Sequence, residues 1–317
     1  MSLYHRIAEL QGDRPWGAML DAGTGRNSMR WLLSLPTERW TAVTGSASMA
    51  RRTDTEIGTR SRQADRLVVG NWLDPALLLG ERYDTVLADY LLGAIEGFAP
   101  YWQDQLFARL RELVAADGRL YVVGLAPYVP QLPDTLDAAG SLVTRIGRLR
   151  DACLLLAGDR PYREFPLDWT LRQIERAGFR VLHAEQVPIR FGTRFVDGQL
   201  DMCIRVLERV ADRQLAAALH THVDTLRMEA HLRIAEDGGL RTGHDYVIAA
   251  EPCLTSAGSA CVSTGVEGTE AIRNFLMLPE RRLPDAKADA SDGQLRQHGG
   301  WFGEAGRSPV PAAAGMP

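Results

Sequence analysis

The sequence predicts an α/β fold, a mostly parallel seven-stranded sheet with helices on both faces. Three observations predict it. Short apolar runs alternate with amphipathic stretches from about residue 15 to 250, the signature of βα units feeding a parallel sheet. The first run ends in Asp21-Ala22-Gly23-Thr24-Gly25, an acidic residue and a bare Gly-x-Gly turn that enters a helix. At 317 residues the chain is long enough to bury one large core with additions.

Each element follows in order. Residues 3–10 place Leu3, Ile7 and Leu10 on one helical face. Ala18-Met19-Leu20 is the first strand. A helix carrying Met29, Trp31, Leu32 and Leu33 comes next, with Asn27 or Ser28 as its cap and Pro36 as its end. Trp40 to Val43 is the second strand, and the polar, Arg-rich segment 46–66 holds a helix. Leu67-Val68-Val69 is the third strand, ending at Gly70-Asn71-Trp72. Asp84 to Ala88 is the fourth, ending at Asp89-Tyr90. Trp102, Leu106, Leu110 and Leu113 recur at helical steps within 99–115. Asp117-Gly118 then turns the chain into a fifth strand, Leu120 to Val123.

Residues 137–165 break the alternation. Leu142, Val143, Ile146, Leu149, Cys153 and Leu156 give an inserted helix one apolar face, and the segment reads as a lid. Leu171 to Ala177 is the next helix and Phe179 to Gln186 the sixth strand. A second helical insertion spans 200–236, its helix running from 207 to 235. Tyr246 to Ala250 is the last strand. Residues 1–252 therefore read as one domain. Beyond it, 253–317 is rich in Gly, Ala, Ser, Pro and charge and is expected to be mostly disordered.

Composition narrows the function. The net charge of −4 argues against nucleic-acid or membrane partners held by electrostatics. Lys287 is the only lysine, so Schiff-base, phosphate-loop and Tyr-Lys reductase chemistry are excluded from the globular part. The four cysteines lack Cys-x-x-Cys spacing, and His220 and His222 sit about 200° apart on a helix. His222 reads as a packed core residue, and no metal is expected. The chain begins without a cleavable leader pattern, and its longest apolar stretch, Cys153 to Ala157, is far short of a membrane span. A cytoplasmic location with free thiols is the expectation.

The Gly loop is a ligand site by its physics. Gly23 and Gly25 let a ligand approach the main chain, at the carboxyl ends of the strands where α/β folds collect ligands. A dinucleotide would want a third small residue, where Ser28 stands, and an acidic residue after the second strand, where Thr44-Gly45-Ser46 stands.

Here the chain resembles the Rossmann-like class I S-adenosylmethionine-dependent methyltransferases over about residues 15–250. Met19 to Gly25 resembles that family's first motif. Val69-Gly70-Asn71-Trp72 resembles its adenine-recognition strand end, and Leu87-Ala88-Asp89-Tyr90 its strand-four motif. Leu113 to Val123 resembles its turn into strand five. The resemblance implies an antiparallel seventh strand and S-adenosyl-L-methionine as cofactor. It implies Asp21, Gly23, Thr24 and Gly25 at the methionine end, Thr44 in place of the family's ribose carboxylate, and Asn71 and Trp72 at adenine. Asp89 would face the amino group of donor or substrate. Asp89, Tyr90 and Glu96 are the nearest candidates for a general base. The activity implied is methyl transfer to a small-molecule oxygen or nitrogen acceptor. Two alternatives stand beside it: a methyltransferase-fold binding protein without catalysis, and an NAD(P)-dependent oxidoreductase. Arg145, Arg148, Arg150, Arg160, Tyr162 and Arg163 are either a solvated face or a clamp on an anionic acceptor. Nothing in the sequence sets the oligomeric state.

Overall fold

The computed structural model describes residues 2–130 and 136–253. One sheet carries β1 (Ala18–Asp21), β2 (Arg39–Thr44), β3 (Arg66–Val69), β4 (Tyr83–Asp89), β5 (Val114–Leu125), β6 (Phe179–Phe191) and β7 (Leu240–Pro252). Their order is β3-β2-β1-β4-β5-β7-β6. The first five strands pair in parallel. β7 runs antiparallel to both neighbours, β5 and β6. The order reverses direction between β1 and β4, which makes the carboxyl ends of those two strands the natural ligand crevice.

The helices are α1 (Leu3–Gln11), α2 (Arg26–Leu32), α3 (Ala47–Ile57), α4 (Leu91–Ala94), α5 (Gln103–Arg111), α6 (Ala138–Leu156), α7 (Leu167–Arg176), α8 (Thr193–Leu207) and α9 (Arg213–Asp237). Strand alternation sends side chains to two separate cores. Leu20, Val86 and Leu120 pack with Leu106, Leu110 and Ile174 of α5 and α7. Met19, Leu87 and Tyr121 pack on the other face with Ile7, Met29 and Ile57 of α1, α2 and α3. A third core joins α6, α8 and α9 to Ile189 and Phe191 of β6 and Leu240 of β7.

Several boundaries differ from the sequence expectation. Gly25 caps α2, and Ser28 lies inside the first turn, where its hydroxyl accepts from the Gly25 amide at 2.9 Å. α2 ends at Leu32, ahead of Pro36. α5 ends at Arg111, and β5 begins at Val114 and runs through Asp117-Gly118 with a register irregularity opposite β4. The second helical insertion is two helices, because Asp212 accepts from the Gln214 and Leu215 amides and restarts the chain as α9. β6 continues through Pro188, which an edge strand tolerates. His222 is exposed; the buried stripe of α9 is Ala216, Val223, Leu226 and Ala230. The expected disordered segment, from 254 onward, lies outside the described residues. Among the described residues no helix is long and apolar enough to cross a membrane, and no group of three His, Cys, Asp or Glu is placed to hold a metal ion.

Candidate active site

The Gly loop is stitched to both flanking strands. The Ala22 amide donates to Leu87 of β4 at 2.8 Å and the Thr24 amide to Val43 of β2 at 2.7 Å. The Gly25 amide is taken by Ser28. Gly25 itself is extended, at φ −127° and ψ 180°. Any residue adopts those angles, so its missing side chain matters for space and not for conformation.

Beside the loop lies a part-open cleft of about 530 Å³, solvent at its mouth included. Its floor is Ala22, Gly23, Val43 and Thr44, and its walls include Met49, Leu91, Ile95 and Phe98. The lining is mostly apolar, and among the described residues it holds no carboxylate. Gly45 is required here, because a Cβ would come within 2.7 Å of the Phe98 ring.

Asn71, Trp72 and Thr44 line the cleft, and each already makes hydrogen bonds within the protein. Asn71 donates from Nδ2 to the Phe98 carbonyl at 2.8 Å and accepts at Oδ1 from the Leu73 amide at 3.0 Å. Each group keeps one further hydrogen-bonding position. Trp72 is buried, and its indole N–H donates to the Ala22 carbonyl at 2.9 Å. Thr44 is buried, with Oγ1 accepting from the Ser46 amide at 3.3 Å.

Three carboxylates follow the crevice. Asp21 is 0% exposed, and neither of its oxygens has a partner at hydrogen-bonding geometry. Burial pushes its pKa up to about 6, against smaller opposing effects of the nearby Ser28 and Thr24 hydroxyls. Asp89 is buried too and accepts from the Tyr4 hydroxyl at 2.7 Å. Burial raises it to about 7, with Asp21 and Asp245 adding to the rise and Tyr4 opposing it. Tyr90, at φ 52°, turns out of β4 in the left-handed region and donates to Asp245 at 2.8 Å. Burial and the charges of Asp245 and Asp89 raise its hydroxyl well above 10.

The remaining predicted residues do not join this group. Glu96 is buried and accepts from Gln103 at 2.8 Å and from Arg160 at 3.0 Å, so it ties the segment after α6 to the α4 region. Arg145 pairs with Glu229, and Arg148 donates to the Val129 carbonyl. Arg150 is 1% exposed among Tyr128, Gln199, Asp151 and Glu164. Arg163 lies 3.6 Å from Glu96.

Sequence reasoning missed Tyr4, Met49, Phe98 and Asp245. Tyr4 shares a stripe with Ile7 and Gln11, which a wider reading of α1 would have caught. Asp245 directly precedes the apolar run Tyr246 to Ala250 of β7 and is itself buried, a carboxylate where burial alone would not place one.

No protein-family model matches the chain, and neither does any curated protein. Solved structures do. A Bacillus halodurans C-125 protein described as a candidate methyltransferase is 14% identical, with a TM-score of 0.52 over 79% of this chain and 98% of its own. The cyclase SpnF is 15% identical, with a TM-score of 0.50 over 80% of this chain and 81% of its own. The mycolic acid cyclopropane synthase CmaA1, crystallised with SAH, is 17% identical, with a TM-score of 0.47 over 79% and 85%. The chain has the Rossmann-like fold of class I S-adenosylmethionine-dependent methyltransferases. The fold alone does not set the reaction; one of these neighbours is named a cyclase.

Proposed function

We propose that this chain transfers a methyl group from S-adenosyl-L-methionine to an oxygen or nitrogen of a small-molecule acceptor. The observation that carries the reading is Asp21. A fully buried carboxylate without a hydrogen-bond partner is costly, and a cationic amino-acid group beside the Gly loop would relieve that cost.

The residues present fit the cofactor. Asp21 and Asp89 would hold the ammonium of its methionine end, with Gly23, Thr24 and Gly25 giving backbone room. Thr44 would meet the ribose. Met49, Ile95, Phe98 and Leu91 would enclose adenine, with Asn71 and Trp72 at the edge. The cleft volume is within the usual small-molecule range of about 300–1,000 Å³. When bound, the cofactor supplies an electrophilic methyl group on a sulfonium. The chain's own contribution is proximity and exclusion of water. Asp89, raised to about 7, can accept a proton near neutral pH. Tyr90, raised well above 10, stays protonated and serves to orient Asp245.

A second reading, a binding protein of this fold without turnover, is favoured by one observation. No carboxylate reaches the cleft from the end of β2, where Thr44 and Ser46 stand. The oxidoreductase reading has less support, because the Thr24 and Gly25 amides that would face a pyrophosphate are bonded within the protein. Calorimetric titration with S-adenosylmethionine, S-adenosylhomocysteine (SAH) and NAD separates the three. SAH binding with methyl transfer supports the enzyme, and SAH binding without transfer to any acceptor supports the second reading. Binding of NAD alone would refute both.

A further inference from the structure

Asn71 lines the cleft just past the end of β3, and its amide is fixed from two sides. Nδ2 donates to the Phe98 carbonyl at 2.8 Å, and Oδ1 accepts from the Leu73 amide at 3.0 Å. Both partners are main-chain groups of a single polarity: a carbonyl only accepts, and an amide N–H only donates. Turning the side chain over would set Oδ1 against the carbonyl and Nδ2 against the N–H. Asn71 is therefore held in one orientation, with one N–H and one lone pair left for a ligand. That remainder calls for an acceptor beside a donor, the pattern that adenine shows, where N1 or N7 accepts and N6 donates. Hypoxanthine has the same outline with an oxygen in place of N6. Its O6 would face Oδ1, acceptor against acceptor, and on the N1 edge its N1–H would also face the Asn71 N–H. The walls give a mismatched base little else to bond, since Val43, Leu91, Ile95 and the Phe98 ring are hydrocarbon. The Trp72 indole N–H is already given to Ala22.

The end of β2 is built differently. Among the described residues no carboxylate lines the cleft there, and the polar side chains are hydroxyls already in use. Thr44 Oγ1 accepts from the Ser46 amide at 3.3 Å. Ser46 Oγ accepts from the Met49 amide at 3.2 Å as the cap of α3, and it lies 2.9 Å from Ser48 Oγ. What these hydroxyls can add toward a sugar is a neutral bond, about half as strong as one to an ionised group. Gly45 between them brings no side chain to the cleft, and the Phe98 ring leaves no space for one.

We infer that this cleft selects its nucleoside at the base and not at the sugar. Asn71, locked by Phe98 and Leu73, is the specificity-determining residue, and the 2′ and 3′ hydroxyls of the ribose contribute little. The inference rests on the cofactor reading and adds to it the class of donor the chain takes. That class is the S-adenosyl sulfonium compounds, including those that lack one ribose hydroxyl, and it leaves out their inosyl counterparts.

The test is calorimetric titration of the full chain with SAH, 2′-deoxy-SAH, 3′-deoxy-SAH and S-inosylhomocysteine. Each deoxy compound binds within about fivefold of SAH, the range of a neutral hydrogen bond. The inosyl compound binds at least about thirtyfold more weakly, as a mispaired two-point contact demands. Asn71→Ala brings SAH and the inosyl compound to within about threefold of each other and leaves the ratio of SAH to its deoxy analogues as in the parent. A merely structural Asn71 would weaken every ligand alike and move neither ratio. Asn71→Asp, which keeps an acceptor for the Leu73 amide but has no N–H for the base, serves if the alanine variant does not fold, and it too shrinks the base preference. An inosyl compound that binds as well as SAH, a deoxy analogue weakened as much as the inosyl compound, or a base preference undiminished in the variants would overturn the inference and leave the cofactor reading standing. Failure of SAH itself to bind overturns the cofactor reading, and this inference with it.

Discussion

Replacing Asp21 by Asn separates folding from binding. In the unfolded chain this carboxyl titrates near its ordinary 3.8, and in the folded protein near about 6. Between those values the folded state holds a proton that the unfolded state has released. Stability therefore falls as pH rises from about 4 to about 6, and the loss is complete above that. At about 1.4 kcal/mol per pH unit, the gap between 3.8 and about 6 amounts to about 3 kcal/mol. For a domain of this size that is roughly 6–12 °C in melting temperature. Asn cannot ionise, so Asp21→Asn should lose this part of the pH dependence. It should also lower the pKa of Asp89, because the Asp21 charge helps to raise it. Urea melts of the parent and the variant at pH 4.5 and pH 8 measure the difference, and SAH calorimetry measures binding in the same samples. The variant should flatten the pH profile and bind SAH at least about tenfold more weakly, the loss of one charge-assisted contact. Parallel pH profiles together with unchanged SAH affinity would refute the reasoning, since Asp21 would then be neither strained by burial nor facing the cofactor.

Three further outcomes are expected. Gly23→Val should abolish SAH binding in calorimetry while the circular dichroism spectrum and melting stay near the parent's, because the branched side chain fills the floor of the cleft. Gly45→Ala should force the Phe98 ring from its place, since the new Cβ would sit 2.7 Å from it; a loss of about 1–3 kcal/mol in urea melts and several-fold weaker SAH binding follow. Arg150→Met should destabilise the protein by about 3–5 kcal/mol in the same melts, because it leaves Glu164 buried with its cation removed. A smaller change at Arg150 would mean that Glu164 takes up a proton instead; Arg150 is among the groups that hold its pKa down to about 7, so removing Arg150 raises it further, and the destabilisation should then grow as the melts are carried to higher pH.

Most of the fold could be read from the chain. Strand and helix periods are local properties, and the runs at Met19, Val68 and Leu87 carry them without ambiguity. The antiparallel last strand came only with the resemblance, since nothing local fixes strand direction. Boundaries were less legible where one period passed into another. The start of β5 at Val114 follows an amphipathic helix whose apolar spacing continues to Leu113, and a single sequence does not show which element claims these residues. The site was legible at its near end, where glycines and an acid share one loop. Its far end was not. Tyr4 and Asp245 are 241 positions apart in the chain, and both reach the Asp89 neighbourhood only through packing of α1 over β7 and the pairing of β7 with β5. Arg145, Arg160 and Arg163 looked available because their partners, Glu229 and Glu96, are likewise distant in sequence.

The indole of Trp72 reaches from the end of β3 across β2 to the carbonyl of Ala22 at the end of β1. This brace adds a side-chain link between two loops that are each already bonded to β2 through the main chain. The corner of the cleft they frame is thus set when the chain folds, and an incoming nucleoside has little left to order there. Preorganisation of this kind converts contact into affinity with a small entropic loss, and on the proposed reading it would let a largely apolar recess hold a nucleoside without a ribose carboxylate.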